Sequence, residues 1–407
     1  MLQWHLPIWQ NSFTMQENKI LGNPERKSSI DDLLERAGKD KVIQKALGKK
    51  EPAKPPEKRL VAPFAEDVIY RLKQIDSVKV KQGIIRDIAV GLDGRIEAAC
   101  GQWHYSYILK DGKLAPKDGN FMNKVNNAVT AVAFSPDGKY YAEGVEVINK
   151  KGRQGLLYLY DLPGIPGSGM SAGTVPNVIK KIEFSSDSSN ILLYHGNKVR
   201  IVRFEKSTHH VNHFLERMLR DDTDVALSPD GKYLACGWDN VRVYEIPLQK
   251  PRMLKLVVEE DLGEPIKHVS FSPLIYSRQV GAQEFNEDYY FAAAGDRHFG
   301  IFRFSSNDNS LEQTSGSGFT YGKISSIALD PGGIAVTLNT EPQSPNACEL
   351  FTWGFIEEGK IDNMMGRSIV YYGHEFTKAK FSANGKYLAA AAGDGAVILY
   401  GVERRKK

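Results

Sequence analysis

Cysteine is scarce. The 407 residues hold three, Cys100, Cys236 and Cys348, too few for a disulfide framework, and a reducing compartment is expected. No apolar run approaches the roughly 20 residues that a spanning helix needs. Met1–Gln10 carries Trp4, Leu6, Ile8 and Trp9 but lacks the basic start and apolar centre of a secretory signal. A cytoplasmic protein without membrane contact follows as the expectation. Signatures of catalysis are missing too. There is no Gly-x-Ser-x-Gly elbow and no His-Glu-x-x-His. The run Gly167-Ser168-Gly169 … Gly173 is not followed by the helical pattern a phosphate cradle requires. His209, His210 and His213 lack a second half for a metal site. No enzyme, metal or cofactor is expected, with a hydrolase built from scattered acids kept as the minor alternative.

A dominant charge is also absent from most of the chain. Residues 36–60 hold nine Lys/Arg against three Asp/Glu, and residues 1–35 hold three against five. The remainder carries 41 of each sign, so the surplus belongs to an N-terminal stretch and not to the bulk of the protein.

What the chain does have is a repeat. Thr130–Glu143 reads TAVAFSPDGKYYAE. A short apolar run without a polar break suits a strand buried on both faces. Ser-Pro-Asp-Gly then supplies turn chemistry: Pro fixes φ, Asp bonds its own backbone and Gly accepts positive φ. Asp224–Ala235 is nearly a copy, Lys380–Ala389 is another, and looser copies start near Ile85, Ile179, Ile266 and Ile324, making seven. Gly94 and Gly138 lie 44 residues apart, as do Pro229 and Pro273. A period in the forties with about four strands per unit is the signature of a β-propeller blade. The expected fold is all-β, a seven-bladed β-propeller over residues 61–407. Residues 1–60 form an N-terminal extension: a short helix over 28–48, then a basic, Pro-rich, disordered linker.

Each unit carries a later strand in the same place, as in Gly155–Asp161, Lys198–Phe204 and Val241–Glu245. Here the chain resembles the WD-repeat propellers over roughly residues 66–407. The match is best through Gly373-His374, Phe381-Ser382, Gly393-Asp394-Gly395 and Leu399-Tyr400. It departs from them in having one Gly-His pair and Tyr160-Asp161 or Tyr244-Glu245 where the family ends a strand in Trp-Asp. The last repeat has only three strands. The resemblance implies that Asp67–Val80 supplies its fourth, and closure also removes unpaired edges. Insertions at 145–154, 274–288 and 339–347 are read as lengthened loops or hairpins.

A binding face is the expected site. Loops joining second to third strands line one side of a propeller, and here they bring Trp103, His104, Tyr105, Lys198, Trp238, Arg297 and His298. Trp, Tyr and Arg dominate contact hot spots, although Trp103 and Trp238 could equally be plugs between blades. The expected function is a non-catalytic protein–protein interaction scaffold, a monomeric propeller within a complex. The alternative is an RNA- or ribosome-associated factor that uses the basic tail and Arg404–Lys407.

Overall fold

The computed structural model describes residues 68–406 apart from short connections, all within the unit Leu60–Lys407. The helix and basic linker expected before residue 60, and the Gly373-His374 pair, lie outside the described residues. Strand β1 (Val68–Lys79) comes first. The first sheet holds β2 (Asp87–Val90), β3 (Ile96–Cys100), β4 (Trp103–Lys110) and β5 (Lys113–Pro116), with β6 (Phe121–Met122) paired to β4. The second holds β7 (Ala128–Phe134), β8 (Tyr140–Asn149), β9 (Gly152–Asp161) and β10 (Met170–Val175). The third runs from β11 (Ile179–Phe184) through β12 (Asn190–His195) and β13 (Lys198–Glu205) to β14 (His210–Met218). The fourth comprises β15 (Asp224–Leu227), β16 (Tyr233–Gly237), β17 (Val241–Glu245) and β18 (Lys255–Glu260). In the fifth are β19 (His268–Gln279), β20 (Phe285–Ala294), β21 (His298–Ser305) and β22 (Ser310–Phe319). The sixth contains β23 (Lys323–Asp330), β24 (Gly333–Asn339), β25 (Ala347–Glu357), β26 (Lys360–Ile361) and β27 (Arg367–Tyr372). The last is β28 (Phe376–Phe381), β29 (Tyr387–Ala392), β30 (Ala396–Lys406) and, returning from the start, β1. The first strands of consecutive sheets pack side by side, and β2 also meets β28, which closes the ring.

The repeat sequence explains the hairpins. Ser135 is buried, and its backbone N–H donates to the Tyr140 carbonyl at 2.9 Å. Its hydroxyl accepts the Tyr140 N–H at 2.9 Å and donates to Asp137 at 2.6 Å. Gly138, with φ of 70°, closes the turn on the Ser135 carbonyl. The same bonds recur about Ser228 and Ser382, so the serine is the hub of the motif rather than a generic turn residue.

Counting back from that hub sorts the innermost strands into two rows, because alternate residues of a strand share a face. Four residues before it stand Asp87, Ala131, Lys181, Asp224, His268, Ser326 and Lys378; two before it stand Ala89, Ala133, Glu183, Ala226, Ser270, Ala328 and Lys380. Most of these line an axial cavity of about 220 Å³. Polar members also stitch most of the sheets to the next. Backbone N–H groups of the following sheet donate to them: Val132 to Asp87 at 3.0 Å, Leu227 to Glu183 at 2.9 Å, and Val269 to Asp224 at 2.9 Å. Leu329 donates likewise to Ser270 at 3.3 Å, and Ala379 to Ser326 at 3.1 Å. Lysines complete the girdle, Lys181 pairing with Asp224 at 3.1 Å and Lys380 with Asp87 at 2.9 Å. Away from the axis, apolar side chains of adjacent sheets interleave, as where Ile88, Tyr105 and Leu399 share one cluster.

One expectation about insertions changes and one holds. Residues 145–154 are not a loop but the far ends of β8 and β9, paired to Asn149↔Gly152. Residues 274–288 do lengthen a hairpin. The β19–β20 ladder resumes after a register shift between Phe271 and Ile275 and continues to Gln279↔Phe285.

Candidate interaction face

On one side of the ring, the turn from second to third strand in several of the described sheets meets the segment leading into the next sheet. The joint is a backbone bond. Val129 N–H donates to the Gly101 carbonyl at 2.6 Å, Ile324 N–H to that of Asp296 at 2.8 Å, and Ile266 N–H to that of Trp238. The face is therefore a set of tied loops, able to present side chains without first ordering them.

Trp238 has the most developed setting. Gly237 precedes it, and a Cβ there would run into Ile266 and Val269, so glycine is what lets the fifth sheet's lead-in segment close over this turn. Trp238 N–H donates to the Asn240 carbonyl at 3.2 Å, fixing a tight turn. The ring is half-buried and, among the described residues, belongs to none of the apolar core clusters. Arg242 lies over it, 5.8 Å from the ring centroid. Glu259 fixes that guanidinium at 2.8 Å and also accepts from the Asn240 amide at 2.5 Å. In the fifth sheet Glu264 performs the comparable task. Its Oε1 accepts the N–H groups of Arg297 at 3.4 Å and His298 at 2.8 Å, and lies 3.3 Å from His298 Nδ1. Arg297 itself is exposed. In the third sheet Lys198 reaches Glu216 at 3.2 Å, beside the Arg200–Glu216 pair. Burial works to raise the Glu216 pKa, but the hydrogen bonds from Arg200 and Lys198 hold it below the ordinary value. His195 just behind is fully buried, and burial, then the Arg200 charge, pushes its pKa down to about 4.

Lys198, Trp238, Arg297 and His298 thus fall on three successive sheets. Trp103, His104 and Tyr105 stand apart from them, since the whole second sheet intervenes. They also differ from expectation in kind. Gly101, with φ of 67°, makes the connection so short that Trp103 already opens β4. Tyr105 is 4% exposed and sits in the core, so it cannot present a contact surface. Trp103 stacks on it, ring centroids 6.3 Å apart, and packs against the same cluster. His104 faces the gap between the first two sheets. It bonds Glu97 at 2.8 Å and the Tyr141 hydroxyl at 3.2 Å, with Ser106 donating to the other Glu97 oxygen at 2.9 Å. Burial opposes the charged ring, but the hydrogen bond and charge of Glu97, joined by Glu143, outweigh it and raise the His104 pKa. Glu97, Tyr141 and Glu143 were not singled out in the sequence. Their signal was an acid inside each of two otherwise apolar second strands, IEAAC and YYAEGV.

Among the described residues no three His, Cys, Asp or Glu side chains gather as metal ligands. Cys100 and Cys236 are free, buried thiols; burial pushes Cys100 up to about 12 and Cys236 higher still, which leaves both unreactive. No helix among these residues is long and apolar enough to cross a membrane. The basic run at 36–60 lies outside the described residues, and Arg404–Lys406 belong to β30, paired with β1.

The sequence model of the WD domain, G-beta repeat, matches residues 221–244 and 367–400, which fall in the fourth sheet and across the sixth and last. No curated protein sequence matches the chain. Solved structures match in large number, 1171 chains, so the likeness is to an architecture and not to one activity. One of them, from "Crystal Structure of Mitotic Checkpoint Complex", has a TM-score of 0.57 at 13% identity, covering 86% of this chain and 96% of that one. With two WD-repeat matches and a closed ring of four- and five-stranded sheets, the chain has a β-propeller fold that resembles the WD-repeat propellers.

Proposed function

We propose that the protein is a non-catalytic scaffold for protein–protein interaction, working as a single propeller within a complex, and that its contact surface is the face carrying Trp238. The observation that supports this most is the setting of Trp238. A large ring outside the apolar core, on a turn fixed by Gly237 and Asn240 and flanked by Arg242, resembles a hot-spot anchor more than a packing residue. Lys198, Arg297 and His298 supply the polar surround. Trp103 contributes at most its exposed edge. The occurrence of a similar fold in a mitotic checkpoint complex agrees with a scaffold role and does not name a partner. Two buried, unreactive thiols accord with a cytoplasmic setting.

Trp238→Ala tests this reading. Full-length wild type and variant are immobilised, exposed to native extract with and without nuclease, and the retained proteins quantified. A hot-spot ring carries about 2 kcal/mol or more of binding, so a defined set of wild-type partners should vanish with the variant. The melting curve should stay nearly unchanged, whereas a core Trp cut to Ala costs about 3–5 kcal/mol of stability. A large drop in melting temperature makes Trp238 a packing residue and removes the centre of the proposed face. Retention that disappears with nuclease favours RNA instead.

A further inference from the structure

The axial girdle has donors facing donors at one joint. Elsewhere the side chain four residues before the hub accepts the N–H three before the next hub, as Asp87 does from Val132, Asp224 from Val269 and Ser326 from Ala379. Likewise the side chain two before the hub accepts the N–H one before the next, as Glu183 does from Leu227 and Ser270 from Leu329. In the last sheet these two places hold Lys378 and Lys380, and an ammonium accepts nothing. The N–H groups in the matching places of the first sheet are those of Ile88 and Val90. Gly91 N–H bonds Arg95 within that sheet, and antiparallel alternation turns the Ile88 and Val90 N–H groups away from β3, toward the axis. Among the described residues no side chain accepts from either. Lys181 makes the same mismatch in the third sheet, but Asp224 neutralises it at 3.1 Å.

The charges around this joint do not all find partners. Asp87 neutralises Lys380 at 2.9 Å. Lys378 is half-buried, lines the cavity and has no hydrogen bond or ion pair among the described residues. Burial drives the His268 pKa down to about 4, against the charge of Asp224 and helped by that of Lys378 two sheets away. Lys378 thus projects into the cavity, and His268 is neutral at neutral pH. Glu183, the carboxylate of the two rows with no ion pair, stands across the ring in the third sheet, and burial raises its pKa. Ala89 and Ala328, at the level of Lys380 in the sheets to either side, leave space in front of the lysines. Toward the hairpins the wall is apolar, with Phe134, Pro136, Phe271 and Phe381. Ser186 bridges part of that end, its N–H donating to the Pro229 carbonyl at 2.6 Å and its hydroxyl to that of Pro273 at 3.0 Å.

We propose that the axial cavity is a binding site for a small monocarboxylate with an apolar body, its carboxylate accepting from Lys378 and the Val90 N–H and its body lying against the apolar hairpin end. Charge-assisted bonds of this kind are the strong ones. One negative charge matches the one ammonium without a counter-charge. A dianion would set a second charge against Asp87 and Asp224. A cavity of about 220 Å³, bridged at one end by Ser186, takes a small molecule and not a nucleic-acid strand. The site uses none of the residues of the Trp238 face, so it goes beyond the scaffold reading and does not depend on it.

The probes are benzoate and phenylacetate, titrated calorimetrically into the full chain, with benzamide as the uncharged control. At least one acid should bind with a Kd of about 1 mM or tighter, slowing amide exchange at Val90, and benzamide should not bind. Lys378→Met should weaken acid binding about tenfold or more and leave the melting temperature unchanged or raised, because it removes an unpaired charge. Lys378→Gln should do the same and replaces it if the methionine variant does not fold; the Val90 exchange reads the site in the wild type whatever the variants do. Trp238→Ala should bind the acids as the wild type does. Failure of both acids to bind, equal binding of benzamide, unchanged binding by a folded Lys378 variant, unaltered exchange at Val90, or tighter binding of phenyl phosphate would each overturn the proposal. So would a short peptide that binds more tightly through its C-terminal carboxylate than either acid, which would assign the cavity to a partner's chain end.

Discussion

Asp87 is where three sheets meet, and its removal measures how the ring is held. Its side chain is 3% exposed. Oδ2 accepts the Val132 N–H of the second sheet at 3.0 Å and the Lys380 ammonium of the last sheet at 3.1 Å, while Oδ1 lies 2.9 Å from the same ammonium. Lys380 also donates to the Val132 carbonyl at 3.3 Å. Burial pulls the Lys380 pKa down, against the opposing charge of Asp87. Asp87→Ala removes the acceptor from an amide and from a largely buried cation together. Breaking one side of a buried pair costs about 3–5 kcal/mol. The lower end applies here, since Lys380 is 25% exposed to the axial cavity and can shed its proton. Chemical denaturation with urea should show the loss as a lower midpoint at constant slope. Asp87→Ala combined with Lys380→Met should cost less than the sum of the single changes by about 1–3 kcal/mol, the range for residues in one network. A cost below about 1 kcal/mol for Asp87→Ala, or an additive cycle, would mean that the cavity screens the pair and that apolar packing alone closes the ring.

His104 makes stability fall as pH rises. Its folded pKa is raised above the unfolded value of about 6.5, so its contribution is complete below that pH and is lost as pH climbs through the folded value. The stability difference between wild type and His104→Gln should therefore shrink with rising pH across the neutral range in parallel denaturation curves; a difference that grows would refute the assigned Glu97 partnership. Removing β1 should be far worse than removing what precedes it. A chain starting at Leu60 should melt cooperatively near the wild-type temperature, and one starting at Lys81, with β30 left as an open edge, should not; identical melting would disprove closure by β1.

The hairpin repeat was legible because its chemistry is local. Ser135, Asp137 and Gly138 bond within a few residues of one another, so spacing alone exposes them. Closure by residues 67–80 was legible for a different reason: a repeat with a missing strand leaves a vacancy that only the other end of the chain can fill. The axial rows were present in the register of Asp87, Lys181 and Asp224 before each hub, but their partners lie one sheet further on. Which charges meet depends on ring order, and no short window contains it. Trp103–Tyr105 was misplaced because a Gly-centred connection of two residues reads as a loop, while Gly101 in fact ends the loop before Trp103. Residues 145–154 were read as a loop because they interrupt the period of the repeat. The alternation of Val145 and Val147 was the strand signal.

The pairing that closes the ring also decides how the protein bears load. Val68 lies opposite Lys406 and Lys79 opposite Ala396, so the chain leaves β1 and β30 at the same end of their ladder. Tension applied through segments flanking residues 68 and 406 does not shear all the rungs together. It peels them singly from Val68↔Lys406 inward, at the low force typical of a zipper, and the rate of that first opening, not the equilibrium stability of the ring, limits how long the assembly survives under pull. A complex that tugs on both termini would part this seam while the remaining sheets stay folded.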